Sequence, residues 1–564
     1  DLRMSRGLGD VYKRQREKLL LSGRMGDTQT MTEQKKRYTI LGIFVAMFLF
    51  GAFFLRETGV YFDENQEERI LYMNILQYGE TLRIPKLTNW FQWKEEYHPI
   101  CVEADKDHGS APYYLCGLLL MKLEQHPDAV RLQSEVWHAY TYALFFLGVI
   151  YMYRLLWELF RDRRTALLGT LMLFLTPRIF ADGLYNNKDS VLMSLIIVML
   201  FYGIRFLERK DFKNACLLGI CAGFCGNLKI SGIYVFAMIG GFYLLILTKE
   251  KKWSGKTFFV GLTAAVVGFL SYLALTPAIW GQGFHLWEFL MWNLSNSTEY
   301  SRMDGKVLFD GTWYVHSTNP LPWYYLPKLI ALTIPVYLSV LLWSSIGIWL
   351  YKGRKHQWNF ADRIYPLFAL TSGIPVLVAM LCDPNLYNGW RHMYFIYGPM
   401  IVMMAYAVRY LLQQPAIRAR RIATAMLVVL IGCNGVGIAL TGQSSSAYTN
   451  ILAGGDACGR YEMDYYGVTA KKILKSLVDR YGEIWIRSDG CGATIVNYYV
   501  LPAEYREKIR LVSSQEEIQA AVDQGKLVLG CVNPSYDILP EGEDVVWLED
   551  WKAWGNTYMK IRKY

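Results

Sequence analysis

Eleven stretches of nearly unbroken apolar side chains punctuate the chain, near residues 38–55, 137–160, 165–177, 190–207, 214–226, 229–248, 257–277, 327–351, 364–382, 393–412 and 422–442. Most approach the ~20 residues that carry a helix across a hydrocarbon core, which predicts an α-helical polytopic membrane protein with about 11 transmembrane helices. The runs 165–177 and 214–226 are short for a full crossing and predict half-helices, tilted segments or parts of longer helices. Beyond Ala453 the pattern changes. Helix-like stretches (468–481, 515–522) alternate with strand-like ones (483–487, 526–529), predicting a small α/β domain. Residues 1–15 have neither period and resemble translated adapter sequence. A non-native or disordered leader is expected over 1–24, with the start at Met25 or Met31. The expected organisation is thus a leader (1–24), a transmembrane domain (38–442) and an extracytoplasmic domain (443–564).

The basic clusters orient the runs. With Lys35-Lys36-Arg37 on the cytoplasmic side, strict alternation places the clusters 161–164, 209–210, 249–252, 352–355 and 418–421 on that side too, as the positive-inside rule requires. The loops 56–136, 178–189, 278–326 and 383–392, and everything after 443, then face outward. A cytoplasmic N-terminus and an extracytoplasmic C-terminal domain are expected in the cell membrane.

Three outward loops carry more charge than tethering requires. The first holds Asp63-Glu64 within a few residues of the first apolar run. A carboxylate pair there suits a general base at the membrane surface, or a solvated turn that caps a helix. The second contains Arg178, Asp182, Lys188 and Asp189, with two cations on the side the charge rule disfavours. A lipid phosphate would explain them, as would a helix-entry ion pair between Lys188 and Asp189. The third ends in Arg391-His392, fit to grip phosphate oxygens or to anchor at headgroups. Lys229 lies between two apolar runs, as a functional cation or one that snorkels to the interface.

The order Asp63-Glu64, then Pro177-Arg178-Ile179-Phe180 with Tyr185-Asn186-Asn187-Lys188-Asp189, then Asn388-Gly389-Trp390-Arg391-His392, resembles the glycosyltransferases of the GT-C fold that use polyprenyl-phosphate sugars. It is most similar to glycosyltransferase family 39, the protein O-mannosyltransferase-like enzymes and their aminoarabinose transferase relatives. The resemblance runs from residue 38 to about 465, and Gly454-Gly455 with Gly459-Arg460-Tyr461-Glu462-Met463-Asp464-Tyr465-Tyr466 looks like its post-membrane segment. It implies inverting transfer of a sugar from a polyprenyl-phosphate donor to a cell-envelope acceptor (lipid, polymer or protein) on the outer membrane face. Asp63 matches the family's acidic first-loop residue and would be the base, with Glu64 holding the acceptor or tuning Asp63. Arg178, Lys188 and Arg391 would bind the donor phosphate, while Asp189, Asp182, His392 and Lys229 would orient substrates. Some enzymes of this fold use a divalent metal, but no ligand cluster is evident here. The resemblance also implies a juxtamembrane amphipathic segment over 69–78, with Trp90, Phe91, Trp93 and Tyr97 nearby.

Composition narrows the rivals. Of 564 residues 53% are hydrophobic, and the formal charge is +10, from 59 Lys and Arg against 49 Asp and Glu. The basic excess is accounted for by cytoplasmic loops, and no basic-aromatic stripe on a soluble segment points to nucleic acid. The ten cysteines lack metal-site spacing, and Cys458–Cys491 is one pairing an oxidising compartment would allow. The alternative is a non-catalytic membrane scaffold, or a transporter for envelope polymer or lipid-linked sugar. Transporters commonly carry internal repeats and mid-membrane charges, whereas the charges here cluster in outward loops.

Overall fold

The computed structural model describes residues 34–92, 94–281, 285–298, 305–356, 358–382, 384–488, 492–535 and 546–564. The expected leader, Trp93, Asp383 and Cys491 lie outside the described residues, and Cys458 is a free thiol. The chain divides into two compact units, residues 1–53 and 54–564. The first contains most of the first apolar helix, Gln34–Glu57.

Among the described residues, eight helices are long and apolar enough to cross a membrane, and ten if each of two bent pairs is one span. The chain is a multi-pass membrane protein. All eleven apolar runs appear as helices. The run 214–226 lies in Phe212–Leu228, which at 17 residues is a shorter apolar helix. The run 165–177 continues through a 68° bend at Thr176 into Pro177–Tyr185. Proline accounts for the break: it has no N–H to donate backward, and its fixed φ suits the first turn of a new helix. A second bend, of 119°, joins Tyr325–Thr333 to Val336–Arg354, with Pro335 as the cap.

Small residues let the helices approach. A Cβ at Gly148 would lie 2.5 Å from the Ser194 Cβ, where Ala129–Phe160 packs on Asp189–Arg209. Phe212–Leu228 meets Gly255–Leu275 in the same way: a Cβ at Gly219 would come 2.7 Å from Gly268 N, and one at Gly223 2.4 Å from the Ser271 Cβ. Hydrocarbon gives little drive for apolar helices to associate, so this close backbone packing supplies much of the attraction.

The helix Glu64–Thr81 contains the segment 69–78, within which Ile70 through Gln77 are buried without a break. Aromatic side chains cover it: Trp90, Phe91 and Tyr97 close around Tyr72 within 6.4 Å, and Trp280 and Tyr114 pack on Tyr78.

The C-terminal part is a five-stranded mixed sheet in the order β4-β3-β5-β7-β6, from β3 (Ile484–Ser488), β4 (Ile509–Leu511), β5 (Val528–Val532), β6 (Val546–Ala553) and β7 (Asn556–Lys563). β3 runs parallel to β4 and β5, while β7 is antiparallel to β5 and β6. Helices Gly492–Tyr499 and Gln515–Asp523 connect the parallel strands, as such crossovers require. Ser514 and Glu517 close a capping box on the second, each satisfying a backbone N–H of the other's turn.

Replacing Gly223 with valine forces branched carbons into the Ser271 backbone, and overpacking of this kind costs about 1–3 kcal/mol. The thermal midpoint of detergent-solubilised Gly223→Val is expected several degrees below wild type, whereas Gly241→Val, where nothing lies within 4 Å of the added Cβ, is expected to shift it little.

Candidate functional site

The charged residues of three loops converge at the start of Asp189–Arg209. Asn186 sets that helix: its Oδ1 accepts from the backbone N–H of Asp189 at 2.8 Å and of Lys188 at 3.2 Å, two donors a helix start leaves unpaired. The turn points the Asp189 carboxylate inward, where it is 1% exposed. It receives the Lys229 ammonium on Oδ1 and Arg391 Nη1 at 3.0 Å on Oδ2. Two cations on one buried carboxylate leave a local excess of one positive charge. Arg391 is otherwise sandwiched, its guanidinium 5.2 Å from the Tyr387 ring and 5.1 Å from that of Tyr466, and its Nε has no hydrogen-bond partner among the described residues. Burial pulls the Lys229 ammonium below its ordinary range; Arg391 adds to the effect and Asp189 opposes it.

Arg391 reaches this position through a tight turn. Asn388 and Gly389 are both left-handed, with φ of 55° and 71°, a pair of conformations that Asn-Gly adopts at little cost. Gly389 N then donates to Glu462 Oε2 at 2.9 Å, tying the turn to the post-membrane segment. His392 follows, edge-on to Tyr387 at 4.7 Å, with Nε2 lacking a partner.

The first loop supplies the acidic side. Asp63 occupies the N-cap of Glu64–Thr81 but makes no side-chain capping bond, so its half-buried carboxylate is not consumed by the helix. Glu64 is 4% exposed and hydrogen-bonds His138 Nε2 at 2.8 Å. One turn on, Glu67 takes Lys188 Nζ at 2.7 Å. Lys188 and Asp189, adjacent in sequence, thus engage different partners. Tyr466 joins the acidic and basic halves: its carbonyl accepts from Phe62 N at 3.3 Å, its ring packs 5.2 Å from Tyr61, and its opposite neighbour is Arg391. Burial raises the Tyr466 phenol well above its ordinary range, Arg391 opposing and Asp63 adding to the shift.

Arg178 and Asp182 lie on Pro177–Tyr185. Asp182 accepts from the hydroxyls of Tyr185 and Tyr394. Arg178 donates from Nε to the Tyr448 carbonyl at 2.8 Å and lines a small cavity with Thr333, Gly389, Tyr461 and Glu462. Neither is bonded to Asp189. Among the described residues, no group of three or more His, Cys, Asp or Glu is arranged to hold a metal ion; Glu64, Glu67 and Asp189 already face a histidine or a cation.

His138 and Glu67 join the site without having been singled out from the sequence, and Tyr466 joins it from the post-membrane segment, where the sequence pattern assigned it no role of its own. A histidine inside an apolar helix was the available signal for His138. Glu67 could have been found as the next acidic residue on the face of Glu64, three positions on.

The fold and this cluster define a multi-pass membrane protein with a buried ionic site where its loops meet its helices. Residues 129–274, which include His138, Arg178, Asp182, Asp189 and Lys229, match the family model described as Dolichyl-phosphate-mannose-protein mannosyltransferase. The resemblance to lipid-linked sugar transferases read from the sequence stands in that segment. ArnT from Cupriavidus metallidurans is a similar solved structure, with TM-score 0.45 and 12% identity in the apo state, covering 93% of this chain and 98% of ArnT. Its undecaprenyl phosphate complex gives TM-score 0.44 and 11% identity, again covering 93% and 98%. The Archaeoglobus fulgidus oligosaccharyltransferase tethered to an acceptor peptide gives TM-score 0.41 and 11% identity, over 87% of this chain and 69% of that one. No curated protein matches the sequence.

Two outcomes are expected. Asp189→Asn leaves the buried Arg391 and the partly exposed Lys229 unopposed, and breaking a buried pair in this way costs about 3–5 kcal/mol. Its unfolding midpoint is expected to fall sharply, with part of the loss recovered in the double variant Asp189→Asn/Lys229→Met, which removes one of the two unopposed cations. The second concerns Glu68, which burial pushes up to about 7 against a hydrogen bond from Tyr72, with Glu64 and Glu124 adding. A carboxyl whose folded pKa is raised keeps the folded state most stable below its unfolded pKa, and that stability is lost as pH rises through about 7. Glu68→Gln, which can still accept from Tyr72, is expected to melt above wild type at pH near 8.5 and to lose most of that advantage at pH near 5.

Proposed function

We propose that the protein is an inverting glycosyltransferase that moves a sugar from a polyprenyl-phosphate donor to a hydroxyl of a cell-envelope acceptor on the outer face of the membrane. The observation that carries this reading is the excess positive charge at Asp189. A cluster that served only to hold helices together would be better balanced by one cation than by two. Lys229 and Arg391 suit an anionic leaving group between them, and the unpartnered Arg391 Nε leaves it a further donor. The family match over 129–274 supports a lipid-linked sugar as donor, and the positive-inside pattern supports the outer face.

In this reading Asp63 accepts the proton of the acceptor hydroxyl as that oxygen forms a bond to the anomeric carbon. The bond from that carbon to the phosphate oxygen breaks on the opposite face, and the polyprenyl phosphate departs with the electron pair. Configuration at the carbon inverts. Negative charge grows on the departing phosphate in the transition state, so fixed cations lower the barrier more than they strengthen binding of the intact donor. Arg391 and Lys229 take that role here, and Lys188, neutralised by Glu67, is left to shape the pocket beside it. Arg178 acts at longer range through the turn at Gly389. Asp182 and His392 are assigned to orienting the substrates, and Glu64, held by His138, sets the field around Asp63.

Sugar transfer from a panel of radiolabelled polyprenyl-phosphate sugars tests the reading. Wild type is expected to consume one donor, and Asp63→Asn to slow turnover ~10²-fold or more, the range a general base supplies. Arg391→Lys, which keeps a charge opposite Asp189, is expected to lower turnover with a smaller change in polyprenyl phosphate binding. Turnover untouched by Asp63→Asn would remove Asp63 as the base. Binding of the lipid phosphate with no transfer of any sugar in the panel would favour a non-catalytic scaffold.

A further inference from the structure

The segment between the first apolar helix and Glu64–Thr81 is held almost residue by residue from the far end of the chain. The Glu57 carboxylate pairs with Lys475 Nζ at 2.7 Å, and the Thr58 carbonyl accepts from Lys471 Nζ at 3.3 Å. Gly59 N donates to the Val468 carbonyl at 3.0 Å, and Phe62 N to that of Tyr466 at 3.3 Å. Asn497, on helix Gly492–Tyr499 of the C-terminal domain, closes the gap between them. Its Oδ1 accepts from Val60 N at 2.9 Å while its Nδ2 donates back to the Val60 carbonyl at 2.8 Å. The same nitrogen donates to the Ala493 carbonyl at 2.8 Å, which fixes the carboxamide on its own helix.

This two-way grip mimics the pairing of one strand residue with another, and of the common side chains a carboxamide presents donor and acceptor in that geometry. Asn497 is 0% exposed, so neither of its groups has water as an alternative. The chain opposite has been cleared to let it in: a Cβ at Gly59 would stand 2.3 Å from Asn497 Oδ1 and 2.4 Å from the Val468 carbonyl oxygen. Three residues past the grip is Asp63, whose own side chain is not fixed by helix capping. The backbone leading to it is held at Val60 by Asn497 and at Phe62 by the Tyr466 carbonyl.

We propose that Asn497 is a positioning residue for Asp63, and that the C-terminal domain completes the active site by clamping the loop that carries the base. The proposal rests on the reading of Asp63 as that base. Asn497→Asp is the informative variant, because it keeps size and the acceptor but cannot donate to Val60. Gly59→Ala spreads the same grip from the other side, its added methyl pressing on the Asn497 carboxamide while that residue itself is left unsubstituted. Two measurements are made on each full-length variant in detergent: turnover and polyprenyl phosphate affinity, well below the unfolding midpoint, and backbone hydrogen exchange. Turnover is expected to fall at least tenfold with the lipid phosphate Kd within twofold of wild type. Exchange is expected to accelerate in peptides covering 57–63 and to stay unchanged over 385–396. A merely structural role would lower affinity and turnover together and accelerate exchange in both regions. That result, or faster loop exchange with normal turnover, or unchanged loop exchange, would overturn the proposal. If wild type transfers no sugar at all, the transferase reading fails, and exchange alone then decides whether Asn497 clamps the loop.

Discussion

The architecture of the site depends on one electrostatic constraint, the need to compensate charge removed from water. Burying an ion costs several kcal/mol even after the protein relaxes, so each charge drawn inward must bring its partner with it. Asp189 is buried because a helix begins there, and it draws in Lys229 from one chain break and Arg391 from another. Those two cations bring the Asn388-Gly389 turn and the aromatic rings of Tyr387 and Tyr466 to the same place. Glu67 does the same for Lys188, and Glu64 for His138. Three loops far apart in sequence are registered by pairing charge with charge, where apolar packing alone would leave them free to slide.

Much of the helical framework was legible because membrane crossing leaves a coarse signal: length, apolarity and the side on which basic residues fall. The eleven runs all became helices, and the changes of direction fell at Pro177 and Pro335, where the backbone chemistry requires them. The strands 484–488 and 528–532 showed the expected period, while the closing hairpin of β6 and β7 was not singled out. The extent of burial along the helix Glu64–Thr81 was not legible, for a physical reason. Its pattern is set by neighbours on every side, and those neighbours come from loops whose path no local period encodes.

The charged residues were legible as candidates but their pairing was not. Adjacent Lys188 and Asp189 suggested each other, and the fold gave each a partner from elsewhere, 121 and 202 positions away in the case of Glu67 and Arg391. Sequence reports that a cation sits in a loop between apolar runs; only tertiary structure says which carboxylate answers it. His138 and Asn497 illustrate the harder case, since a single polar residue in an apolar helix carries no record of its partner.

The grip on Val60 comes from a residue 437 positions later in the chain. During synthesis the loop bearing Asp63 therefore leaves the ribosome long before Asn497 exists, and the helices of the membrane domain must insert and pack while that loop is unclamped. On the proposed reading, such a nascent chain would be a membrane protein with an unfinished site. The site around Asp63 would then become competent only once the C-terminal sheet and its helices have folded, so the order of the sequence would act as a timer that holds back chemistry until assembly is complete.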